Sequence, residues 1–243
     1  MTTTWWPYAR LAASVLAVAA IVAQLVRTLQ IALADETEWG SHLPTVIANF
    51  FSFFTIESNV LAAVALAAGG IWALSQKNRS AVEPRWLATL LICASTYMIV
   101  TGVVYNTLLR GIALPQGSTV GWSNEVLHVV IPIVMLADVL FAPRRRSVGW
   151  GTVGIAAIFP IVWVVYTLIR ANLVIAPSTG NTWWYPYPFL DPRQEGGYIA
   201  VSLYVLLIAA IIIGAAALVV WVGRRRAAVD DMMSDSAASQ PIH

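Results

Sequence analysis

Asn49-Phe50-Phe51-Ser52-Phe53-Phe54-Thr55-Ile56-Glu57-Ser58-Asn59 lies inside a long apolar run that extends from about Thr45 to Ser75. An α-helix needs about 20 predominantly apolar residues to cross the roughly 30 Å of hydrocarbon in a bilayer, and this run is longer than that. The stretch nevertheless carries a hydroxyl, a carboxyl, a second hydroxyl and an amide, on Thr55, Glu57, Ser58 and Asn59. In hydrocarbon each such group is costly unless it meets a protein partner or a wet cavity. Thr55, Ser58 and Asn59 stand at i, i+3 and i+4 and so share one helix face. That face is expected to look into a helix bundle, toward a second polar helix that carries Asn124, Glu125 and His128.

Composition supports this reading and excludes others. Of 243 residues 59% are hydrophobic and only 11% charged, with a mean hydropathy of +0.74. An ordinary soluble domain has about 25% charged residues. Apolar runs of spanning length recur along the chain, which therefore reads as an all-α polytopic membrane protein with six transmembrane helices. The spans fall at about 8–34, 45–75, 86–110, 122–141, 150–170 and 198–221, forming one domain over 1–222. No small-residue cleavage site follows the N-terminus, so the first run is expected to stay as a helix. Pro132 is expected to kink the fourth span. Pro115 and Gly117 suggest a turn ahead of it. Residues 223–243 read as a basic, then polar, disordered tail. The single cysteine, Cys93, sits in an apolar run, so it forms no intrachain disulfide or cysteine metal cluster and reads as a small buried hydrophobe.

The placement of charge orients the chain. Arg10, Lys77, Arg79, Arg85, Arg144, Arg145, Arg146, Arg224, Arg225 and Arg226 all fall on one side of the six spans, and the three loops on the other side hold only Arg193. Ten against one places both termini in the cytoplasm of a multi-pass protein of the cell membrane. The arginine clusters are topology signals, so no nucleic-acid partner is expected. The loop over 171–197 is rich in aromatics and proline, above all Trp183-Trp184-Tyr185-Pro186-Tyr187-Pro188-Phe189-Leu190-Asp191-Pro192, which suits the membrane interface.

With that orientation Thr55 lies roughly 15 Å, and His128 roughly 9 Å, from the outer ends of their helices at 1.5 Å per residue. With tilt, the two share a level. His128 is the only histidine within a span, hence the natural base for a threonine nucleophile. Asn124 or Glu125 would fix its tautomer. Asn59 or Asn106, with Ser58 nearby, would support a developing oxyanion. Arg110 or Arg170, at helix ends beside Tyr105 and Tyr166, would anchor a lipid carboxylate or phosphate. The implied chemistry is acyl transfer to water on an ester delivered from the bilayer, with no cofactor and no metal. A metal site from Glu57, Glu125, His128 and Asp138 is disfavoured by the single histidine and differing depths; Asp138 reads as structural. The same residue types also suit helix-to-helix hydrogen bonding in a lipid- or small-molecule-binding protein or a transporter, although no internal repeat is evident.

Phe53-Phe54-Thr55-Ile56-Glu57-Ser58-Asn59, Thr101-Gly102-Val103-Val104-Tyr105-Asn106, Trp122-Ser123-Asn124-Glu125-Val126-Leu127-His128-Val129-Val130-Ile131-Pro132 and Tyr185-Pro186-Tyr187-Pro188-Phe189-Leu190-Asp191 together resemble the androgen-induced-gene-type family of integral membrane proteins. The similarity is to its bacterial six-helix branch and extends through the sixth span. Eukaryotic members are threonine hydrolases of fatty acid esters of hydroxy fatty acids. The resemblance implies Thr55 as nucleophile, His128 as base, and a membrane lipid as substrate.

Overall fold

Among the described residues, six helices are long and apolar enough to cross a membrane, and no strand occurs. The computed structural model describes residues 4–76, 81–110 and 119–238, with side chains through residue 229. Lys77, Arg79, His243 and the turn expected at Pro115 and Gly117 lie outside the described residues. The first span is α1 (Trp6–Ala34). The second combines α2 (Leu43–Phe51) and α3 (Phe54–Ser75). The third is α4 (Arg85–Val104), prolonged by a π-helical turn, Tyr105–Leu109. The fourth runs through α5 (Gly121–Glu125), a second π-helical turn (Val126–Val130) and α6 (Ile131–Phe141). The fifth and sixth are α7 (Gly151–Arg170) and α8 (Gly197–Ala238).

In lipid no hydrophobic force drives helices together, so small residues that let backbones approach take over that role. α1 and α3 meet along such a seam, with Ala13, Ala17 and Ala20 buried against a helix presenting Ala62, Ala63, Gly69 and Gly70. A Cβ on Gly70 would stand 2.9 Å from the Pro7 carbonyl, so only glycine admits this approach. The Ser14 hydroxyl donates to the Ala63 carbonyl across the seam at 2.8 Å. Outward faces are aliphatic: Val15, Val18 and Val22 on α1, and Ile158, Val162 and Val165 on α7, are all exposed. Apolar surface of that extent suits hydrocarbon and not water.

Charge is buried at the end of the bundle where α1 starts and α6 stops. Arg10 bonds Asp138 through Nε at 2.7 Å and Glu83 through Nη2 at 3.0 Å, while Arg145 reaches Asp138 Oδ2 at 2.7 Å. Trp6 Nε1 adds a fourth donor to Asp138, at 2.8 Å. Asp138 thus has the structural role expected of it.

Two element boundaries differ from those expected. The second span is not one helix over 45–75: it breaks at Ser52 and Phe53, the latter extended at φ −73° and ψ 126°. No glycine or proline marks the break. Its cause is tertiary, since the Trp163 indole N–H donates to the Ser52 carbonyl at 3.0 Å and draws it out of the helical ladder. The sixth helix does not stop at Trp221 but runs through Ala238. Beyond Gly223 no glycine or proline interrupts it, and Arg226 fastens it to α6 by donating to the Val139 and Ala142 carbonyls, each at 2.7 Å. The kink expected at Pro132 takes the form of the widened π-helical turn just before it.

Candidate functional site

The break at Ser52 and Phe53 makes Thr55 a first-turn residue of α3, where backbone N–H groups lack helical partners and the helix dipole presents its positive end. His128 lies in the π-helical turn of the fourth span. The Thr55 Oγ1 and His128 Nε2 atoms are 3.2 Å apart. On the far side of the ring, Nδ1 stands 2.9 Å from the Asn124 carbonyl, which can only accept. The neutral imidazole is thereby held with its proton on Nδ1, leaving the Nε2 lone pair for the threonine proton. Tyr105 stacks on the imidazole at 3.8 Å between centroids and 24° between planes, and its hydroxyl accepts from the Asn124 amide. One asparagine thus orients the histidine through its main chain and the stacked ring through its side chain.

Pro132 explains the neighbouring amides. It has no N–H, so carbonyls one turn earlier lose their ladder partner. The Asn106 amide donates to the His128 carbonyl at 3.2 Å, and the Asn59 amide donates to that of Leu127 at 3.1 Å and to that of Thr55 at 2.9 Å. This corrects the expected oxyanion role of Asn59 and Asn106, whose donors are spent on main-chain carbonyls. Asn59 instead staples the Thr55 turn to the His128 turn. Ser58 likewise turns away, to Thr101 Oγ1 and the Thr55 carbonyl, both at 3.1 Å.

Glu125 does not orient His128. Both its oxygens accept from Arg110, at 3.0 Å each, in an exposed pair beside the Tyr105 ring. Arg110 is therefore neutralised, while Arg170 donates to Asn49 Oδ1 at 2.7 Å and lies over the Trp184 ring. Tyr166 reaches Ser52 Oγ at 3.2 Å and does not touch Thr55. Glu57, Glu125, His128 and Asp138 do not gather, and no metal-binding group of His, Cys, Asp and Glu occurs among the described residues.

A cavity of about 160 Å³ opens against Thr55. Its walls are almost wholly apolar and come from α4, α7, α8 and the loop before α8, with Val104, Pro160, Trp163, Tyr187 and Ile208 prominent. Thr55 and Tyr105 face it and His128 stands behind them.

Tyr187 is the site residue that sequence reasoning missed. Its loop is not laid flat on the interface: Trp184, Tyr185, Tyr187 and Leu190 are buried. Phe53, exposed to the loop by the break in the second span, meets Trp184 and Tyr187 edge-on at 5.6 and 5.5 Å. The Tyr187 hydroxyl accepts from the Thr55 amide at 3.3 Å and lies 3.4 Å from Thr55 Oγ1. Burial pushes this phenol up to about 12, so it is neutral at physiological pH. The available signal was a proline-braced aromatic segment too stiff for an ordinary loop.

With known protein families, with characterised proteins and with solved structures alike, comparison returns no match to this chain. Fold and geometry define a multi-pass helical membrane protein with a polar pair beside an apolar cavity.

Proposed function

We propose that the protein is a lipid-ester hydrolase of the cell membrane, acting on fatty acid esters of hydroxy fatty acids or similar lipids, with Thr55 as nucleophile and His128 as general base. One observation carries this reading: a threonine hydroxyl at a helix N-terminus lies 3.2 Å from a histidine nitrogen whose tautomer is fixed for proton acceptance, beside an apolar cavity. Thr55 Oγ1 attacks the ester carbonyl while His128 Nε2 takes its proton, then returns it to the departing alkoxide. Water, deprotonated by the same nitrogen, releases the acid from the acyl-threonine. The neutral Tyr187 hydroxyl, 3.4 Å from Thr55 Oγ1, is the donor nearest to the developing oxyanion. The resemblance to the androgen-induced-gene-type family adds support, since the residues in question are the ones it maps to these roles. The arginine asymmetry supports an orientation with both termini cytoplasmic and the cavity toward the outer leaflet.

Hydrolysis of a fatty acid ester of a hydroxy fatty acid by the purified chain tests the reading, alongside labelling by a fluorophosphonate probe. Thr55→Ala and His128→Ala are each expected to lower the rate by about 10²–10⁴-fold in folded protein, and Thr55→Ala to abolish labelling. Parental rates in either variant overturn its role. A lipid-binding protein without covalent chemistry is the second reading, favoured by the position of His128 behind the cavity wall; it predicts binding of the ester with no turnover in the parental chain.

A further inference from the structure

One turn beyond the break in the second span, two polar side chains on different helices face each other with their hydrogen bonding incomplete. Asn49 on α2 is 2% exposed. Its Oδ1 accepts from Arg170 Nη2 at 2.7 Å, which assigns the remaining atom as the amide nitrogen, and that Nδ2 is buried with no partner. Arg170, at the end of α7, has no carboxylate within salt-bridge distance among the described residues, and its guanidinium plane lies over Trp184 at 5.6 Å. Arg110, the other arginine at this end of the bundle with a comparable position, is paired in bidentate fashion with Glu125. Thr167, one turn before Arg170 on the same helix face, also carries a buried hydroxyl without a partner.

A buried amide nitrogen normally has an acceptor, and a half-buried cation normally has an anion. Here a positive fork and a neutral donor lie side by side, and both lack the same thing. The guanidinium carbon stands 5.6 Å from the Trp184 ring centroid, and an arginine packed on an aromatic face keeps its fork of N–H donors available to a carboxylate or phosphate. Neither Asn49 nor Arg170 lines the cavity itself, but both stand next to its wall. The hydroxyl of Ser52, one turn from Asn49, pairs with Tyr166, and its carbonyl accepts from the Trp163 indole N–H, while Trp163 forms part of the cavity wall. Five residues of broken helix separate Asn49 from Thr55, which places an anion at Arg170 on the order of 10 Å from the threonine hydroxyl. The cavity lining itself holds no charged side chain.

We infer that Arg170 and Asn49 form a binding site for the anionic group of a lipid amphiphile, a carboxylate or a phosphate, whose apolar part enters the cavity beside Thr55. The inference deepens the proposed hydrolase, and rests on that reading only in making the bound amphiphile a substrate: the anion is then a second group of the ester, remote from the bond that breaks.

Binding is measured without turnover. The full chain with Thr55→Ala, in nanodiscs of neutral phosphatidylcholine, is titrated with radiolabelled oleate, methyl oleate and dodecyl phosphate, against protein-free discs. Oleate or dodecyl phosphate is expected to bind at least tenfold more tightly than methyl oleate, and the tighter of the two identifies the anion. Arg170→Gln and Asn49→Asp, the latter supplying an internal carboxylate to the guanidinium, are expected to erase that preference while leaving methyl oleate binding unchanged. Arg170→Lys should keep part of it. Equal binding of all three ligands by the Thr55→Ala chain overturns the inference without any further variant, and so does a preference that survives both Arg170→Gln and Asn49→Asp. Because Thr55 is absent, failure here leaves the hydrolase reading standing, and absence of hydrolysis in the parental chain leaves the anion site standing.

Discussion

Tyr187 and Asn59 both bond Thr55, the first at its amide and the second at its carbonyl, and their contributions separate cleanly. Asn59 acts on position, bonding the Thr55 and Leu127 carbonyls and so tying the turn that carries Thr55 to the turn that carries His128. Tyr187 acts on charge, since its hydroxyl lies 3.4 Å from Thr55 Oγ1 and also accepts from the Thr55 amide. Tyr187→Phe removes the hydroxyl while keeping the ring between Phe53 and Phe189. Loss of one oxyanion donor costs about 10²–10³-fold in kcat, so Tyr187→Phe is expected to reduce kcat within that range with KM little changed, as steady-state hydrolysis assays would show. A matching rise in KM with unchanged kcat would instead make Tyr187 a wall of the cavity and nothing more. The pair Thr55 and His128 was legible in the sequence, because polar residues in apolar helices announce themselves by type and depth. The partners of Asn59, Asn106 and Tyr187 were not. Those of the two asparagines include main-chain carbonyls freed by a proline on another helix, and Tyr187 belongs to a loop whose insertion composition alone does not reveal.

The two helix irregularities that frame the site arise differently, and only one could be read in advance. Pro132 marks its irregularity in the sequence: it strips a donor from the fourth span, the π-helical turn Val126–Val130 precedes it, and Gly102 on α4 leaves room for the ring, since a Cβ there would stand 2.9 Å from Pro132 Cβ. The break at Ser52 and Phe53 has no such marker, because five aromatic and hydroxyl residues in an apolar run are as compatible with helix as with a kink. It depends on Trp163, more than a hundred residues away in sequence. The hydropathy pattern therefore reveals the spans but not the discontinuity that places Thr55 at a helix start. Pro132→Ala tests the link between irregularity and site. A restored N–H would compete for the carbonyls that Asn59 and Asn106 now hold, returning the turn toward regular helix and rotating His128 away from Thr55. Hydrolysis is expected to fall at least tenfold, about 1.4 kcal/mol in barrier, while thermal unfolding in detergent stays near the parental value. An unchanged rate would show that the widened turn is incidental.

At the scale of the whole molecule the two ends of the bundle differ in kind. One end holds the Thr55–His128 pair and the other a buried charge network in which Arg10, Arg145 and Trp6 surround Asp138. Removing one partner of a buried pair strands the others, at a cost of about 3–5 kcal/mol. Asp138→Ala is therefore expected to lower the thermal midpoint markedly while the geometry at Thr55, at the far end, stays intact in the protein that remains folded; chromatography and unfolding in detergent measure the first, fluorophosphonate labelling the second. The same division bears on orientation. Glu38 lies in the loop between α1 and α2, at the Thr55 end, and Ser147 in the loop between α6 and α7, at the charged end. Cys93 is the only cysteine and is buried, so a Cys93→Ala background is suited to single-cysteine labelling. With both termini cytoplasmic, Glu38→Cys is expected to react with a membrane-impermeant maleimide on intact cells, and Ser147→Cys only after permeabilisation. The reverse pattern would turn the molecule over, so that the cavity beside Thr55 draws its lipid from the cytoplasmic leaflet. The chemistry at the threonine would be untouched by that inversion, but the pool of esters and anions it meets would change.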